Sequence, residues 1–192
     1  EKEKKIMVEY TDPNPFKEFH IGHLVTNTIG ESISRLLVFS GADVKRANYQ
    51  GDVGRHVARA IWGLQKSGES SEDVEALGRA YAAGAAADVD DSPTKDEITE
   101  INKKIYDRSD EKINELYDHG RKASLGHFEK LYEILGTKFD LYFFESETGP
   151  FGKEIIHAHI EDGIFKKSQD AVVYEGEKKG LHTRVFLNSE GL

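Results

Sequence analysis

One stretch near the start of the chain constrains the fold most, because it sets a strand, a rigid turn and a helix in immediate succession. The residues from Val8 to Gly30 read VEYTDPNPFKEFHIGHLVTNTIG. The apolar pattern from Ile6 to Tyr10 predicts a strand, the prolines at positions 13 and 15 bar a helix, and a helical pattern then begins near His20. The start of a helix after a strand is where α/β proteins bind anions, because free N–H groups and the helix dipole favour negative charge there.

The first turn of that helix carries His20, Gly22 and His23. Imidazoles three residues apart lie on one helix face, so both can reach the same anion. A glycine between them lets a ligand approach the backbone closely. Positioned donors of this kind suit a site that holds ATP for attack at its α-phosphate, because charge develops on the phosphates there.

Three preceding residues extend this chemistry. Lys17 supplies a mobile cation three residues before His20, and Asn14 can hydrogen-bond either an amine or a carboxylate. Glu9 ends the predicted strand, at the edge where open α/β sheets bind ligands, and could take a guanidinium through two hydrogen bonds. A His-x-x-His pair can also bind zinc, but no third ligand with suitable spacing is apparent.

The rest of the chain predicts two further kinds of structure. The first helix extends from about His23 to Phe39, and a second strand, turn and helix follow at Val44–Asn48, Gly51–Gly54 and Arg55–Lys66. This order favours a parallel sheet with right-handed crossovers. The next part, from Glu72 to Gly136, is helical and polar with an Asp-rich break at Asp88–Pro93. Beyond it we predict strands at Phe139–Phe144, Ala171–Tyr174 and Thr183–Leu187, and a short helix at Lys153–Asp162.

We therefore predict an α/β fold with a helical insertion. Residues 1–68 form the first part of the core, 69–150 the mainly helical insertion, and 151–192 a return segment with strands. The chain does not begin with Met. Residues 188–192 have the composition of a turn, and no further strand or helix follows them in the sequence. We expect a fragment of a larger protein, the alternative being a complete domain with a short tail.

Composition excludes several classes of function. The 35 acidic and 26 basic residues leave a net charge of −9, which disfavours a general nucleic-acid binder. The absence of cysteine excludes disulfides, thiol catalysis and cysteine-based zinc sites. No secretory signal or membrane-length apolar stretch occurs, so we expect a cytoplasmic protein without a membrane partner.

Several motifs together resemble one family. The stretch from Val8 to Leu24 resembles class I aminoacyl-tRNA synthetases in its His-Ile-Gly-His signature, and arginyl-tRNA synthetases in its Pro-Asn pair and in Lys17. Asn48–Gly54 (NYQGDVG) resembles the family's N-H-x-G-D-W-G. The segments GLHTRVF at 180–186 and NSEGL at 188–192 resemble the approach to its second catalytic half.

The resemblance implies a Rossmann-like nucleotide-binding core interrupted by a helical connective segment. It also implies an enzyme that joins arginine and ATP, supplied with Mg²⁺, into arginyl-adenylate and transfers arginine to the 3′ end of tRNA(Arg). No permanently bound cofactor or protein-held metal is implied. The tRNA-binding regions and second ATP signature of the family are missing, so we expect this chain alone to be inactive in aminoacylation.

The same resemblance implies roles for individual residues. His20 and His23 would stabilise the triphosphate as catalytic residues, Lys17 would assist at the phosphates, and Gly22 would let adenine lie against the backbone. Asn14 would hold the amino and carboxylate end of arginine, with Glu9 at the guanidinium and His20 close to the same substrate.

Two departures from the family pattern bear on the second turn. Val53 stands where the family usually has tryptophan, and Arg55-His56 where Thr-Gln or a similar pair is common. Other interpretations stay open beside the arginyl one. They are a different enzyme with a His-x-Gly-His signature, such as another class I synthetase or a nucleotidylyltransferase, and a non-catalytic nucleotide-binding module.

Overall fold

The computed structural model describes residues 3–90 and 92–188 of the chain. It divides into two compact units, Glu1–Glu145 and Ser146–Leu192. Of the turn predicted at Asn188–Leu192, only Asn188 falls within the described residues, and Asp91 of the acidic break also lies outside them.

The first unit opens with alternating strands and helices, as the sequence predicts. These elements are β1 (Lys5–Glu9), α1 (Ile21–Phe39), β2 (Asp43–Gln50) and α2 (Arg55–Ser67). A third strand, β3 (Leu141–Phe144), joins the sheet after a long helical segment. Strand β2 lies in the middle and pairs in parallel with both β1 and β3. The predicted α/β class with a parallel sheet is therefore confirmed.

The helical segment contains α3 (Val74–Ala87), α4 (Pro93–Asp107) and α5 (Glu111–Leu135). Each begins after a residue whose side chain accepts a hydrogen bond from the first turn, respectively Asp73, Ser92 and Asp110. Such caps satisfy N–H groups that have no partner within the helix. The predicted Asp-rich break coincides with the connection between α3 and α4.

A hydrophobic core joins α2 to the helices that follow it. Val57, Ile61, Leu64, Leu77 and Ile98 are among its buried residues. Helices α2 and α3 approach closely because small residues face each other. A Cβ atom at Gly63 would lie only 2.2 Å from the Ala80 carbonyl oxygen.

Helix α5 also packs against the sheet, through a second cluster formed by Tyr10, Phe128, Tyr132 and Phe139. The Asn48 amide of β2 donates a hydrogen bond of 2.9 Å to the Tyr132 hydroxyl. The helix thus contributes side chains to both cores of the first unit, and this fixes its position beside the carboxyl ends of the strands.

The second unit contains most of α6 (Glu145–Ala158) and an antiparallel sheet of β4 (Lys166–Ser168), β5 (Ala171–Tyr174) and β6 (Arg184–Leu187). The predicted helix at Lys153–Asp162 is wrong at both ends. The helix starts at Glu145 instead of Lys153, ends at Ala158 instead of Asp162, and contains Pro150.

The sequence did not reveal β4. Its hairpin turn to β5 consists of Gln169 and Asp170, both with positive φ. A two-residue turn of this kind normally carries Asn-Gly or Asp-Gly, so Gln-Asp gives little signal. Among the described residues, no helix is both long and apolar enough to cross a membrane.

Candidate active site

The loop that connects β1 to α1 is held in an unusual backbone conformation. Thr11, Asp12 and Phe16 all have positive φ, at 80°, 48° and 67°. Conformations of this kind are costly for residues with side chains and persist only where the surroundings impose them. Here the Asp12 carboxylate accepts a 2.8 Å hydrogen bond from the Tyr49 N–H, and the Phe16 N–H donates to Ser124 Oγ at 3.0 Å. The loop is thus tied to β2 on one side and to α5 on the other.

The loop ends in a stacked pair of imidazoles. The rings of His20 and His23 lie 3.8 Å apart between centroids, with 19° between their planes. His20 Nδ1 accepts from the Gly22 N–H at 3.1 Å, and His23 Nδ1 accepts from the His20 N–H at 3.2 Å. This reciprocal arrangement is a capping box built from two histidines. It explains why α1 begins at Ile21, two residues earlier than predicted.

The hydrogen bonds also fix the proton positions on the two rings. Because each Nδ1 acts as an acceptor, the proton of each neutral imidazole is on Nε2. Burial, together with the neighbouring charges of His20 and Lys17, lowers the pKa of His23 from 6.5 to about 4. His23 is therefore neutral at pH 7 and presents one N–H donor.

Gly22 is required by the position of the His20 ring. A Cβ atom at residue 22 would lie 2.9 Å from His20 Cε1, closer than such atoms approach. Any larger residue would displace the ring from its capping position. The glycine predicted to admit a ligand thus also permits the histidine geometry.

Lys17 lies between several elements of the site. Its ammonium sits 5.1 Å from the centre of the Tyr81 ring on α3, a cation–π contact. Its charge contributes to the lowered pKa of both His23 and His56. The cation is therefore close to the imidazoles and is held by an aromatic face.

Asn14 and Glu145 meet at the end of β2. The Asn14 Oδ1 atom accepts a 3.1 Å hydrogen bond from the Gly51 N–H. A Cβ atom at Gly51 would lie 2.7 Å from Asn14 Oδ1 and 3.0 Å from Glu145 Oε2. Burial raises the pKa of Glu145, and the negative charge of Asp52 raises it further. This carboxylate has no hydrogen-bond or ion-pair partner among residues 3–90 and 92–188.

Glu9 is exposed at the end of β1. Its charge contributes to the raised pKa of Asp12, whose main cause is burial. Within the described part of the chain, Glu9 makes no hydrogen bond or ion pair with Asn14 or with the histidine pair. The structure thus brings His20, Gly22 and His23 together at one place and Asn14 with Gly51 at another, and no hydrogen bond links Glu9 to either.

The turn after β2 holds a buried ion pair. Asp52 is fully buried and accepts a 2.7 Å hydrogen bond from Arg121 Nε on α5. His56 Nε2 lies 2.9 Å from the Gly51 carbonyl oxygen, and burial is the main cause that lowers the pKa of this histidine to about 4. Val53 is buried in the helical core, and Arg55 pairs with Asp88. The residues that depart from the family pattern therefore support the turn and α2.

Sequence reasoning missed Glu145 as a site residue. The same rule that selected Glu9 applies to it, because Glu145 directly follows the predicted strand at Phe139–Phe144. His56 was noticed only as a departure, and nothing in its spacing indicated the contact with Gly51. No cluster of three or more potential metal ligands occurs in residues 3–90 and 92–188.

Known proteins match this chain along almost its whole length. The sequence model of the family described as "tRNA synthetases class I (R), catalytic domain" matches residues 1–180. The chain is 34% identical over 199 residues to an arginine–tRNA ligase from Treponema denticola, covering 98% of this chain and 33% of that protein. A second such ligase, from Bdellovibrio bacteriovorus, is 30% identical, with coverage of 100% and 34%. The chain thus spans about a third of the length of these curated relatives.

Solved structures agree with this assignment of the fold. An arginyl-tRNA synthetase from Plasmodium falciparum superposes with a TM-score of 0.73 at 25% identity, covering 100% of this chain and 33% of that one. The arginyl-tRNA synthetase of Thermus thermophilus gives a TM-score of 0.70 at 24% identity, covering 98% of this chain and 33% of that one. At this identity the similarity supports the fold alone.

Proposed function

The chain belongs to the family of class I (R) tRNA synthetase catalytic domains, and from this premise we propose that it forms part of the active site of an arginine–tRNA ligase. In this reaction a carboxylate oxygen of arginine attacks the α-phosphorus of ATP. The bond from that phosphorus to the bridging oxygen breaks, pyrophosphate leaves, and arginyl-adenylate forms. A ribose hydroxyl of the terminal adenosine of tRNA(Arg) then attacks the arginyl carbonyl carbon, and AMP leaves.

The stacked histidines at the start of α1 are the observation that carries this proposal. Negative charge grows on the phosphates as pyrophosphate departs, so fixed N–H donors there stabilise the transition state. His20 and His23 have their Nδ1 atoms occupied, and therefore their Nε2–H groups serve as these donors. His23 is neutral at pH 7, so its single ring proton is the one on Nε2.

Lys17 and Gly22 complete the nucleotide part of the site. Lys17 would move from the face of Tyr81 to the phosphates when ATP binds, because a triphosphate attracts a cation more strongly than a ring does. Gly22 leaves the backbone open for the adenine. Mg²⁺ enters as part of the ATP complex.

Arginine would bind beside β2. Asn14 donates from Nδ2 to the substrate carboxylate, since its Oδ1 is held by Gly51. Glu145 is a half-buried carboxylate in reach of the same place. Burial and the charge of Asp52 raise its pKa, and a cation of the substrate would oppose both effects. Glu9, at the neighbouring strand end, contributes to guanidinium recognition, and His20 lies at the junction with the phosphates.

We also propose a domain organisation and a location. Residues 1–68 form the first part of the catalytic core, 69–150 a helical insertion and 151–192 the segment leading to the second half of the core. Because ATP, arginine and tRNA are its substrates, we place the enzyme in the cytoplasm. We expect the chain alone to bind ATP or arginine weakly and not to aminoacylate tRNA.

Calorimetric titration with a non-hydrolysable arginyl-adenylate analogue tests the proposal, with the glutamyl and cysteinyl analogues beside it. We expect the arginyl analogue to bind most tightly and both His20→Ala and Glu145→Gln to weaken it. His157→Ala, an exposed histidine of the second unit, should leave it unchanged. Glu9→Ala should reduce the preference for arginine. Equal affinity for all three analogues, or preference for another, would contradict the arginine assignment.

A further inference from the structure

Two side chains hold the backbone of Gly51, the residue directly after β2. The Gly51 N–H donates to Asn14 Oδ1 at 3.1 Å, and the Gly51 carbonyl oxygen lies 2.9 Å from His56 Nε2. A carbonyl oxygen only accepts hydrogen bonds, so His56 carries a proton on Nε2 and donates it. The two peptide groups that meet at Gly51 are therefore fixed, one by Asn14 and the other by a histidine of α2.

The position of His56 in the first turn of α2 does not explain this contact. Side chains that stabilise the start of a helix accept hydrogen bonds from the free N–H groups there. His56 instead donates to a carbonyl group that precedes the helix, and the N-cap residue Gly54 has no side chain that could cap. The contact thus fixes the turn between β2 and α2 and satisfies none of the helix N–H groups.

The surroundings of His56 favour a neutral donor. Burial is the largest cause that lowers its pKa to about 4, and the charge of Lys17 is the next. The ring therefore lies close to this lysine and has a single proton at pH 7. An ammonium or guanidinium donor in its place would repel Lys17, whereas a neutral imidazole holds the carbonyl group without adding a charge.

Close packing around Gly51 makes its position matter for the arginine site. A Cβ atom at residue 51 would lie 2.7 Å from Asn14 Oδ1 and 3.0 Å from Glu145 Oε2. A shift of the Gly51 backbone would therefore change its contact with both side chains. The Asn14 amide also has a fixed orientation only while its Oδ1 atom is engaged, and this orientation leaves the Nδ2–H groups for another acceptor.

We propose that His56 is a positioning residue for the amino-acid substrate, because it holds the Gly51 backbone on which the orientation of Asn14 depends. With Oδ1 kept on Gly51, the Asn14 Nδ2–H groups stay directed at the substrate carboxylate. His56 itself touches no substrate and acts through Asn14. This inference rests on the proposed function, because Asn14 has such a role only if the chain binds an amino acid beside β2.

A double-mutant cycle on the whole chain tests this role, with the arginyl-adenylate analogue as the probe. Alanine suits a helix, so His56→Ala should fold, and it should weaken binding about ten-fold. In an Asn14→Ala background the same change should weaken binding by no more than about two-fold, because the residue through which it acts is gone. His157→Ala, at an exposed histidine of α6, is the matched control and should bind like the wild type. Equal losses in the two backgrounds would overturn the proposal.

A conservative variant and a second ligand separate positioning from a general loss of structure. His56→Gln keeps an N–H that can donate to the same carbonyl oxygen, so it should bind the arginyl-adenylate analogue within about two-fold of the wild type. A non-hydrolysable ATP analogue should bind His56→Ala as tightly as it binds the wild type, because Asn14 contacts the amino acid. Equal losses for the two ligands, or a glutamine variant as weak as the alanine variant, would contradict the role of His56.

Nitrogen NMR of the wild-type imidazole rings tests the geometry without any variant. At pH 7 the His56 ring should be neutral with its proton on Nε2, and a proton on Nδ1 would contradict the hydrogen bond to Gly51.

Failure of the proposed function has a different signature. A wild type that binds the arginyl, glutamyl and cysteinyl analogues equally contradicts the arginine assignment, while the double-mutant cycle still measures the role of His56 with any of them. A wild type that binds none of the three would overturn both proposals.

Discussion

Helices α1 and α2 follow parallel strands in the same way, yet they bury opposite kinds of residue. Helix α2 buries Val57, Ile61 and Leu64 in the helical core. Helix α1 buries only Asn27, Gly30 and Ser34 and exposes a row of apolar residues, namely Ile21, Val25, Ile29, Ile33, Leu36 and Phe39. Apolar residues at helical spacing thus have different fates in two neighbouring helices.

The difference follows from what packs on each helix. Helix α2 has α3, α4 and α5 against its apolar face, whereas nothing among residues 3–90 and 92–188 covers the apolar row of α1. The inner face of α1 is small because it fits closely over the sheet, and a Cβ atom at Gly30 would lie 2.2 Å from Tyr10 Cγ. An exposed apolar row of this size marks α1 as a contact surface.

The largest expected effect comes from truncating one apolar residue on each helix. Ile61 is fully buried, so Ile61→Ala should lower the free energy of unfolding by about 2–5 kcal/mol. Ile29 is 54% exposed, so Ile29→Ala should change it by no more than about 0.5 kcal/mol. Urea titrations of both variants measure this. Similar losses would show that α1 is covered as well as α2.

His23 and His56, in the first turns of α1 and α2, should both make the protein less stable as the pH falls. Burial is the main cause that lowers the pKa of both His23 and His56 from 6.5 to about 4. Because these histidines bind a proton less readily in the folded state, the free energy of unfolding is unaffected above pH 6.5. It decreases as the pH falls from 6.5 towards 4. His56 should account for up to about 3 kcal/mol of that loss.

Proton NMR of the imidazole rings measures this directly, with His56→Gln as the companion variant in unfolding experiments. The variant should lose less stability than the wild type between pH 6.5 and 4. Titration midpoints near 6.5 for His23 and His56 would contradict the buried, neutral state on which the site depends.

An ion pair on the polar side of α2 should have a smaller effect. Arg55 and Arg59 both bind the Asp88 carboxylate, and the hydrogen bond from Arg55 is the largest cause that lowers its pKa from 3.8 to about 2. Asp88→Asn should therefore cost about 2 kcal/mol at pH 7. The cost should disappear as the pH falls from 3.8 through 2, because the folded wild type is then protonated. Asp90→Asn, at an exposed pair with Lys95, is the control and should cost far less.

The contrast between covered and uncovered faces extends to the glycines of α5. Gly126→Ala should raise the free energy of unfolding by about 0.5–1 kcal/mol, because a helix interior favours alanine and nothing opposes the methyl group. Gly120→Ala should lower it, since the methyl group would overlap Phe16. Thermal unfolding of the two variants compares them, and a loss of stability in Gly126→Ala would contradict the open space beside Gly126.

The smallest effect on stability is expected on the exposed face of α1. Ile29→Lys combined with Leu36→Lys should alter the free energy of unfolding by no more than about 0.5 kcal/mol. The same variant should associate less at high concentration, because the exposed apolar row favours contact between copies. Sedimentation velocity measures the second effect, and unchanged association would contradict the comparison.

Much of the first unit could be predicted because its signals are local. The strand before Tyr10, the prolines and the helix after His20 follow from residues that are neighbours in sequence, and so does the break at Asp88–Pro93. In the second unit, local signals misled. The predicted helix starts at Lys153, whereas α6 starts at Glu145, and the turn at Gln169 and Asp170 lacks the usual glycine.

The sequence predicted only those parts of the candidate site that consist of residues close together along the chain. His20, Gly22 and His23 could be grouped because one helical turn brings them together. Glu145, at the start of α6, lies near the same side of Gly51 as Asn14, although the two are far apart in the sequence, so no local pattern predicts that they share this place. The roles of all these residues in the reaction stay predictions.

The sequence by itself determined the order of strands and helices, the position of the histidine pair on the first turn of α1, and the family. Those properties depend on side-chain periodicity, capping and motif spacing, which act over a few residues. Only the tertiary structure decided which apolar residues are buried, that Glu145 lies beside Asn14, and that Arg121 forms an ion pair with Asp52. Burial and ion pairing depend on which residues, distant in sequence, pack against each surface. A local sequence pattern contains no information about those residues.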